Sequence, residues 1–371
     1  GNYNMAKNKK DDENKRKVAQ RNVEVGNISD VSGEVIIAGG HIYKGFTAEE
    51  VSTVITQITS KFQPKPFDGR CPYKGLDVFE EEDAELFFGR DGLVEDLVKR
   101  IKDSRTVFIT GPSGSGKSSL ARAGLIHSLK QGGISDLYSE RWLYETMKPG
   151  RDPIGELARV VSSLAGTLGA GEDILIKGMN DATVLSQWCE IALHDDRNKR
   201  VVLFIDQFEE IFTQVGKEAE RLAFLNLITY SATVENGRVI VLFAMRSDFV
   251  SNCATYPNLN TLLNQKFFQI GAMQPHELVS AIAQPALRVG LQIDRELVSQ
   301  IIADMEGEPG TLPLMQFALK DLFDSEHGKN GVIELTLNEY LQRGGIRKSL
   351  ERHADKSFAM LDKNEQELAR S

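Results

Sequence analysis

The stretch Thr106-Val107-Phe108-Ile109-Thr110-Gly111-Pro112-Ser113-Gly114-Ser115-Gly116-Lys117-Ser118-Ser119 decides the fold of this chain. The β-branched and aromatic run Thr106 to Thr110 predicts a strand, and the apolar pattern from Ser118 to Lys130 predicts a helix after it. Between them, glycines at 111, 114 and 116 let backbone N–H groups curl round phosphate oxygens, with the positive end of the helix behind them. Pro112, Ser113, Ser115 and Ser119 complete the cradle. Lys117 is placed to reach the β- and γ-phosphates, and the Ser118 hydroxyl to ligate Mg2+. The spacing G-x-x-x-x-G-K-[ST] arises by chance in about one chain per hundred of this length. Here it also stands between a strand and a helix, as its mechanism requires.

The residues that follow repeat the same alternation. Val201 to Ile205 and Val239 to Phe243 are unbroken apolar runs, the pattern of strands buried on both faces. Trp142 to Thr146 and Lys266 to Ile270 are weaker strand signals. Strands alternating with helices from Cys71 to Phe249 predict an α/β fold, a parallel sheet with helices on both faces. Asp206 ends one buried run, where a carboxylate can hold Mg2+ through water. Glu209 and Glu210 follow at a helix start, either to polarise an attacking water or simply to complement the helix dipole. Arg246 ends the next run. Its guanidinium suits a γ-phosphate, and an ion pair with Asp248 is the alternative.

Further from the loop the organisation changes. Gly1 to Asn4 precede Met5 and read as an expression remnant, and Lys7 to Arg21 is too charged to fold, so residues 1–22 are taken as a tail. Residues 23–62 form a small β/α module. In it, Ser32 to Gly40 is a glycine-punctuated β segment, and Thr47-Ala-Glu-Glu50 is a capping box ahead of Val51, Val54, Ile55 and Ile58. The β segment is expected either to pair as a hairpin packed on that helix or to stack between chains. Residues 63–73, with Gln63-Pro-Lys-Pro66, read as an extended linker. The nucleotide-binding domain then spans 74–270. Helical patterns follow at His276 to Ala283, Arg295 to Met305 and Leu312 to Phe323. Leu361 to Ser371 reads as a helix without a terminator, so the chain is expected to be the front portion of a longer protein.

Composition narrows the classes. A net charge of −9 over 371 residues argues against a general nucleic-acid binder. Three scattered cysteines give no metal or disulfide signal and suit a reducing compartment. Neither a signal peptide nor an apolar run of membrane-spanning length is present, so the expected location is cytoplasmic, with no membrane partner.

At this point the residues resemble a known family. Cys71-Pro-Tyr-Lys-Gly-Leu-Asp-Val-Phe-Glu-Glu-Glu-Asp-Ala-Glu-Leu-Phe-Phe-Gly-Arg90, the glycine loop, and Leu203-Phe-Ile-Asp-Gln-Phe-Glu-Glu210 are similar to the novel STAND NTPases. Met245-Arg-Ser-Asp-Phe249 and Gly310-Thr-Leu-Pro-Leu314 add to the match, which covers roughly residues 71 to 371. These are signal-transduction ATPases related to the NACHT and apoptotic ATPases. The resemblance implies that Phe88, Gly89 and Arg90 contact the adenine side and that Arg246 senses the γ-phosphate. It also implies that Pro313 opens a helix over the base, within a helical bundle at 271–325, and that a winged helix starts at 326–371. Residues 23–62 occupy the place of an effector-associated or adaptor domain. WD or tetratricopeptide repeats usually follow in such proteins. Gln207 stands where motor AAA+ ATPases carry a water-directing Glu, which implies slow turnover.

The resulting expectation is an ATP/ADP switch that uses Mg2+ and oligomerises when a ligand is sensed. Its rivals are a housekeeping P-loop ATPase, a small-molecule kinase, or a scaffold that binds nucleotide structurally. A kinase needs an acceptor pocket with an acid/base pair, and the sequence after Gly271 offers no obvious one.

Overall fold

The computed structural model describes residues 35–38, 41–44, 48–60, 63, 65–194, 196–305, 310–330 and 334–360. The expected tail, the first part of the N-terminal module and the last stretch, 361–371, lie outside them. The chain divides into two compact units, Gly1–Gly45 and Phe46–Ser371. In the first, Val35–Ala38 pairs antiparallel with His41–Lys44, Val35 opposite Lys44 and Ala38 opposite His41.

The second unit is built on five parallel strands: β1 (Thr106–Gly111), β2 (Leu143–Met147), β3 (Val201–Ile205), β4 (Val239–Arg246) and β5 (Phe267–Gln269). Their order in the sheet is β2-β3-β4-β1-β5. Helices cover both faces, so β3 is buried throughout and β4 from Val239 to Met245, which is why neither strand alternates polar with apolar residues. On one face Phe108 of β1 stacks on Phe243 of β4, ring centres 4.2 Å apart and 3° from parallel. The other face buries Val107, Ile109, Phe204 and Leu242 under Leu120 and Leu125. The chain leaves β1 for the far edge, returns through β3 and β4, and passes over β1 to reach β5. That reversal opens a crevice beyond the carboxyl end of β1, where ligands of open α/β sheets bind. β4 runs three residues further than its apolar run predicts, because pairing with β1 continues to Gly111 opposite Arg246. Arg246 is thereby held beside the glycine loop.

Five helices matter for the site. α1 is Ala48–Thr59. α2 follows the glycine loop as an α turn Lys117–Ser119, a wider π segment Leu120–Ile126 and an α turn His127–Lys130. α3 is Pro275–Val289, α4 Arg295–Met305 and α5 Leu312–Asn330. α3 runs beyond Ala283, where the helical pattern was expected to end, through Pro285 to Gly290 with φ of +80°. Burial of Ala281, Ile282, Ala286 and Val289 along one stripe holds the helix together across the lost hydrogen bond. α5 likewise continues past residue 325, into the segment expected to start a winged helix. The helices Leu337–Gln342 and Gly345–Met360 follow, tied back by the Tyr340 hydroxyl donating to Asp304 at 2.6 Å.

α1 corrects the expected grouping of the N-terminal module. Its apolar stripe, Val51, Ile55 and Ile58, is buried in one cluster with Val279, Ile282, Val298 and Ile301 of α3 and α4, and Ser52 accepts a hydrogen bond from Arg295 at 3.1 Å. The helix therefore belongs to the larger unit. The expected linker is also fixed in place: Asp68 N–H donates to Val289 O at 2.9 Å, and Phe67 packs edge-on against Phe323. Sequence shows an amphipathic stripe but not which surface it covers. Among the described residues no helix is long and apolar enough to cross a membrane.

Candidate functional site

The glycine loop curls at the carboxyl end of β1. Gly114 and Gly116 take φ of +71° and +83°, left-handed values that glycine adopts without cost. A Cβ on Gly114 would stand 2.7 Å from the carbonyl oxygen of Gly310, so the segment before α5 lies directly on the loop. The Ser115 hydroxyl is buried inside the cradle with no hydrogen-bond partner among the described residues. Lys117 folds its ammonium onto the loop itself, donating to Gly111 O at 3.1 Å and Pro112 O at 2.7 Å. Burial pushes its pKa below the ordinary lysine value, with Glu209 opposing that shift. An ammonium resting on two carbonyls and an unpartnered hydroxyl are groups that phosphate oxygens would satisfy.

At the end of β3 the Asp206 carboxylate is almost fully buried. Its Oδ1 accepts from the Ser118 hydroxyl at 2.7 Å and from Gln207 N–H at 3.0 Å. Its Oδ2 accepts from Arg122 at 2.9 Å. Gln207 itself has φ of +50°. The two following acids part company. Glu209 lines the cavity and accepts from Arg246 N–H at 3.3 Å, whereas Glu210 turns away and accepts from Gly150 N–H at 3.1 Å. Arg246 lines the cavity too, with its guanidinium on Asp248 at 2.6 Å. Among the described residues no three His, Cys, Asp or Glu side chains converge on a metal position. Any divalent ion here would take most of its ligands from phosphates and water, the usual state of Mg2+ in such sites.

The roof comes from the stretch before the loop. Phe79 N–H donates to the Ser119 hydroxyl at 3.2 Å, tying that stretch to α2. The Tyr73 hydroxyl, fully buried, donates to Ile282 O of α3 at 2.9 Å, and burial raises its pKa. Lys74 N–H donates to Gln316 Oε1 of α5 at 3.2 Å. Phe88 lines the cavity, while Gly89 and Arg90 lock the roof to α3. A Cβ on Gly89 would meet Glu277 O at 2.4 Å, and Arg90 donates to Gly271 O at 3.0 Å. The half-open cavity has about 1090 Å³ of empty space, its open mouth included. Its lining combines the polar Ser113, Lys117, Ser118 and Asp206 with the apolar Leu76, Phe87, Met273, Leu312, Pro313 and Met315. A lining that is part charged and part apolar suits a molecule that carries both phosphates and a flat base.

Sequence reasoning missed Arg122 and Glu80. The signal for Arg122 was there: one charge amid Leu120-Ala-Arg-Ala-Gly-Leu-Ile126, a turn beyond Ser118. Glu80 had no signal, since it is one of four consecutive acids, Glu80 to Asp83. Met273 and Met315 are also unreadable as pocket residues, because only the folded chain brings α3 and α5 over the loop.

Comparison with known proteins follows the geometry. Among solved structures, the ORC2 protein of Aeropyrum pernix in its ADPNP–ADP complexes matches with a TM-score of 0.53 at 16% identity. The match covers 78% of this chain and 72% of that one. The ADP form of the same protein gives 0.49 at 16%, over 77% and 73%; Drosophila ORC bound to DNA gives 0.46 at 13%, over 85% and 78%. At these identities the likeness to the first is one of fold. No curated protein matches in sequence. The pattern defining the family described as Novel STAND NTPase 1 matches residues 72–371, from the roof stretch through the glycine loop to the last helices. The chain belongs to the novel STAND NTPase 1 family, and it is an ATP-binding signalling NTPase.

Proposed function

We propose that this chain is a switch that closes on ADP, opens and oligomerises when a sensed ligand lets ATP replace it, and hydrolyses ATP slowly. The observation that carries the reading is the closure over the loop: Gly310, just before α5, against Gly114, and Phe79 on Ser119, from a roof stretch that also grips α3 and α5. Backbone N–H groups and Lys117 grip a diphosphate without needing a γ-phosphate. Release then requires the roof and α5 to part, a step set by packing between segments. In this reading Phe88, Leu312 and Pro313 stack about the base, and Gly89 and Arg90 fix Phe88 in place.

Ser118 and Asp206 fit a Mg2+ site, as hydroxyl and carboxylate share one hydrogen bond beside the phosphate cradle. When bound, the ion would neutralise charge on the phosphates. Asp206→Asn is expected to weaken Mg2+-dependent ATP binding at least tenfold while changing Mg2+-free ADP binding less than threefold. Calorimetry with and without Mg2+ checks it, and equal losses would make Asp206 structural.

Arg246 serves this reading as the γ-phosphate sensor. Its present pair with Asp248 is solvent-exposed and weak, and a charge-assisted phosphate contact, typically ~1.5–3 kcal/mol, outcompetes it. Moving a 1:99 equilibrium to 99:1 takes about 5.5 kcal/mol. Nucleotide alone therefore does not throw the switch, and a sensed ligand must add the rest. Slow hydrolysis follows from Gln207, a neutral neighbour of Asp206, and from Glu209 as the one acid of the pair that faces the cavity. The N-terminal hairpin and the helices after residue 336 serve, in this reading, as an effector-associated segment and the start of a winged helix.

The protein as purified is expected to carry ADP without any being added. Heat denaturation followed by chromatography of the supernatant shows it. An empty protein, or multiple turnover at motor rates without an activator, would sink the switch and favour a working ATPase.

A further inference from the structure

Arg122 is the one charged group on the π segment of α2, and it grips two carboxylates at once. One arm donates to both oxygens of Glu80, at 2.9 and 2.8 Å, and the other donates to Asp206 Oδ2 at 2.9 Å. The guanidinium lies 5.8 Å over the Phe204 ring, and its Nε is buried with no partner among the described residues. Its side chain is 18% exposed, that of Asp206 3% and that of Glu80 46%. Glu80 belongs to the roof, where it caps the turn Glu81–Leu86, and its neighbour Phe79 holds Ser119. Two adjacent roof residues thus grip the helix that carries the phosphate loop.

We propose that Arg122 is a positioning residue whose cation restrains the metal affinity of Asp206, and that Glu80 relieves this restraint when the roof is closed. The proposal rests on the Mg2+ reading of Ser118 and Asp206. Asp206 is oriented without Arg122, because Ser118 and Gln207 hold its other oxygen. What Arg122 adds is positive charge on the same carboxylate that would hold a dication, and like charges in a buried site repel strongly. Glu80 draws part of that charge away. A closed roof and a well-held metal therefore favour each other, and linkage makes the effect reciprocal.

The test is a Mg2+ titration of ADP affinity by calorimetry on the full chain, read as the Mg2+ concentration giving half the Mg2+-dependent gain. Glu80→Gln is expected to raise that concentration three- to tenfold, although Glu80 touches neither proposed ligand. Arg122→Gln is expected to lower it at least threefold, a sign that a merely structural role would not give. The double variant should match Arg122→Gln alone, since Glu80 acts only through the guanidinium. If Arg122→Gln does not fold, Arg122→Lys serves, because an ammonium cannot span both carboxylates. In that background Glu80→Gln should change the requirement less than twofold. An unchanged requirement in Glu80→Gln, or a Glu80 effect that persists without the guanidinium, overturns the relay. Asp206→Asn separates the two ideas. If it keeps the wild-type Mg2+ dependence, the metal reading itself fails. If it loses that dependence while Glu80→Gln does not shift it, only the relay fails.

Discussion

A chain that begins at Gln63 is expected to melt about 10 °C or more below the full-length protein, whereas one that begins at Phe46 is expected to melt with it. The difference is α1. Val51, Ile55 and Ile58 are 1%, 5% and 8% exposed, in one cluster with the core residues of α3 and α4. Burial of such side chains stabilises by ~1.5–3 kcal/mol each. Each kcal/mol moves the melting point of a domain this large by roughly 2–4 °C. Removing the helix also bares its partners, an apolar patch that favours aggregation. The shorter deletion cuts between the two compact units and strips nothing from the larger one. Val51→Asp in the full chain should reproduce the loss, since a carboxylate there has no burial partner. Equal melting of the two truncated chains would mean that α1 contributes no stability.

Lys117→Ala is expected to weaken ADP binding at least tenfold while leaving the melting point of the nucleotide-free protein within a few degrees. Two or three charge-assisted contacts to phosphate, at ~1.5–3 kcal/mol each, are lost, and 1.4 kcal/mol is already tenfold. The folded protein itself loses little, because Lys117 donates only to the loop carbonyls of Gly111 and Pro112. Its buried ammonium is moreover costly to keep charged, as its lowered pKa shows. Calorimetry with ADP measures the loss directly. Unchanged affinity would mean that the backbone cradle alone carries the phosphates.

Much of the site was legible because local chemistry sets it. A loop needing left-handed backbone must contain glycine, so Gly114 and Gly116 announced themselves. Strands buried on both faces must be apolar throughout, so Val201–Ile205 and Val239–Phe243 did as well, and Asp206 at the tip of one stood out by contrast. The parallel sheet followed from that alternation. Other features depend on which surfaces meet. The stripe on α1 reads the same whether it covers a hairpin or two distant helices, since an amphipathic face specifies burial and not a partner. Glu80 differs in no local way from Glu81 or Glu82. Only the fold sets it within 2.9 Å of Arg122, and through Arg122 beside Asp206. The alternatives at Glu209, Glu210 and Arg246 also turned on orientation. Glu209 and Arg246 face the cavity and Glu210 faces Gly150, because a one-residue step along a helix start turns a side chain about 100°. Sequence by itself determined the phosphate cradle and the sheet that carries it, because backbone sterics and water fix both residue by residue. Tertiary structure alone decided the roof, the relay and the place of α1, because each depends on contacts between segments that no short window of sequence contains.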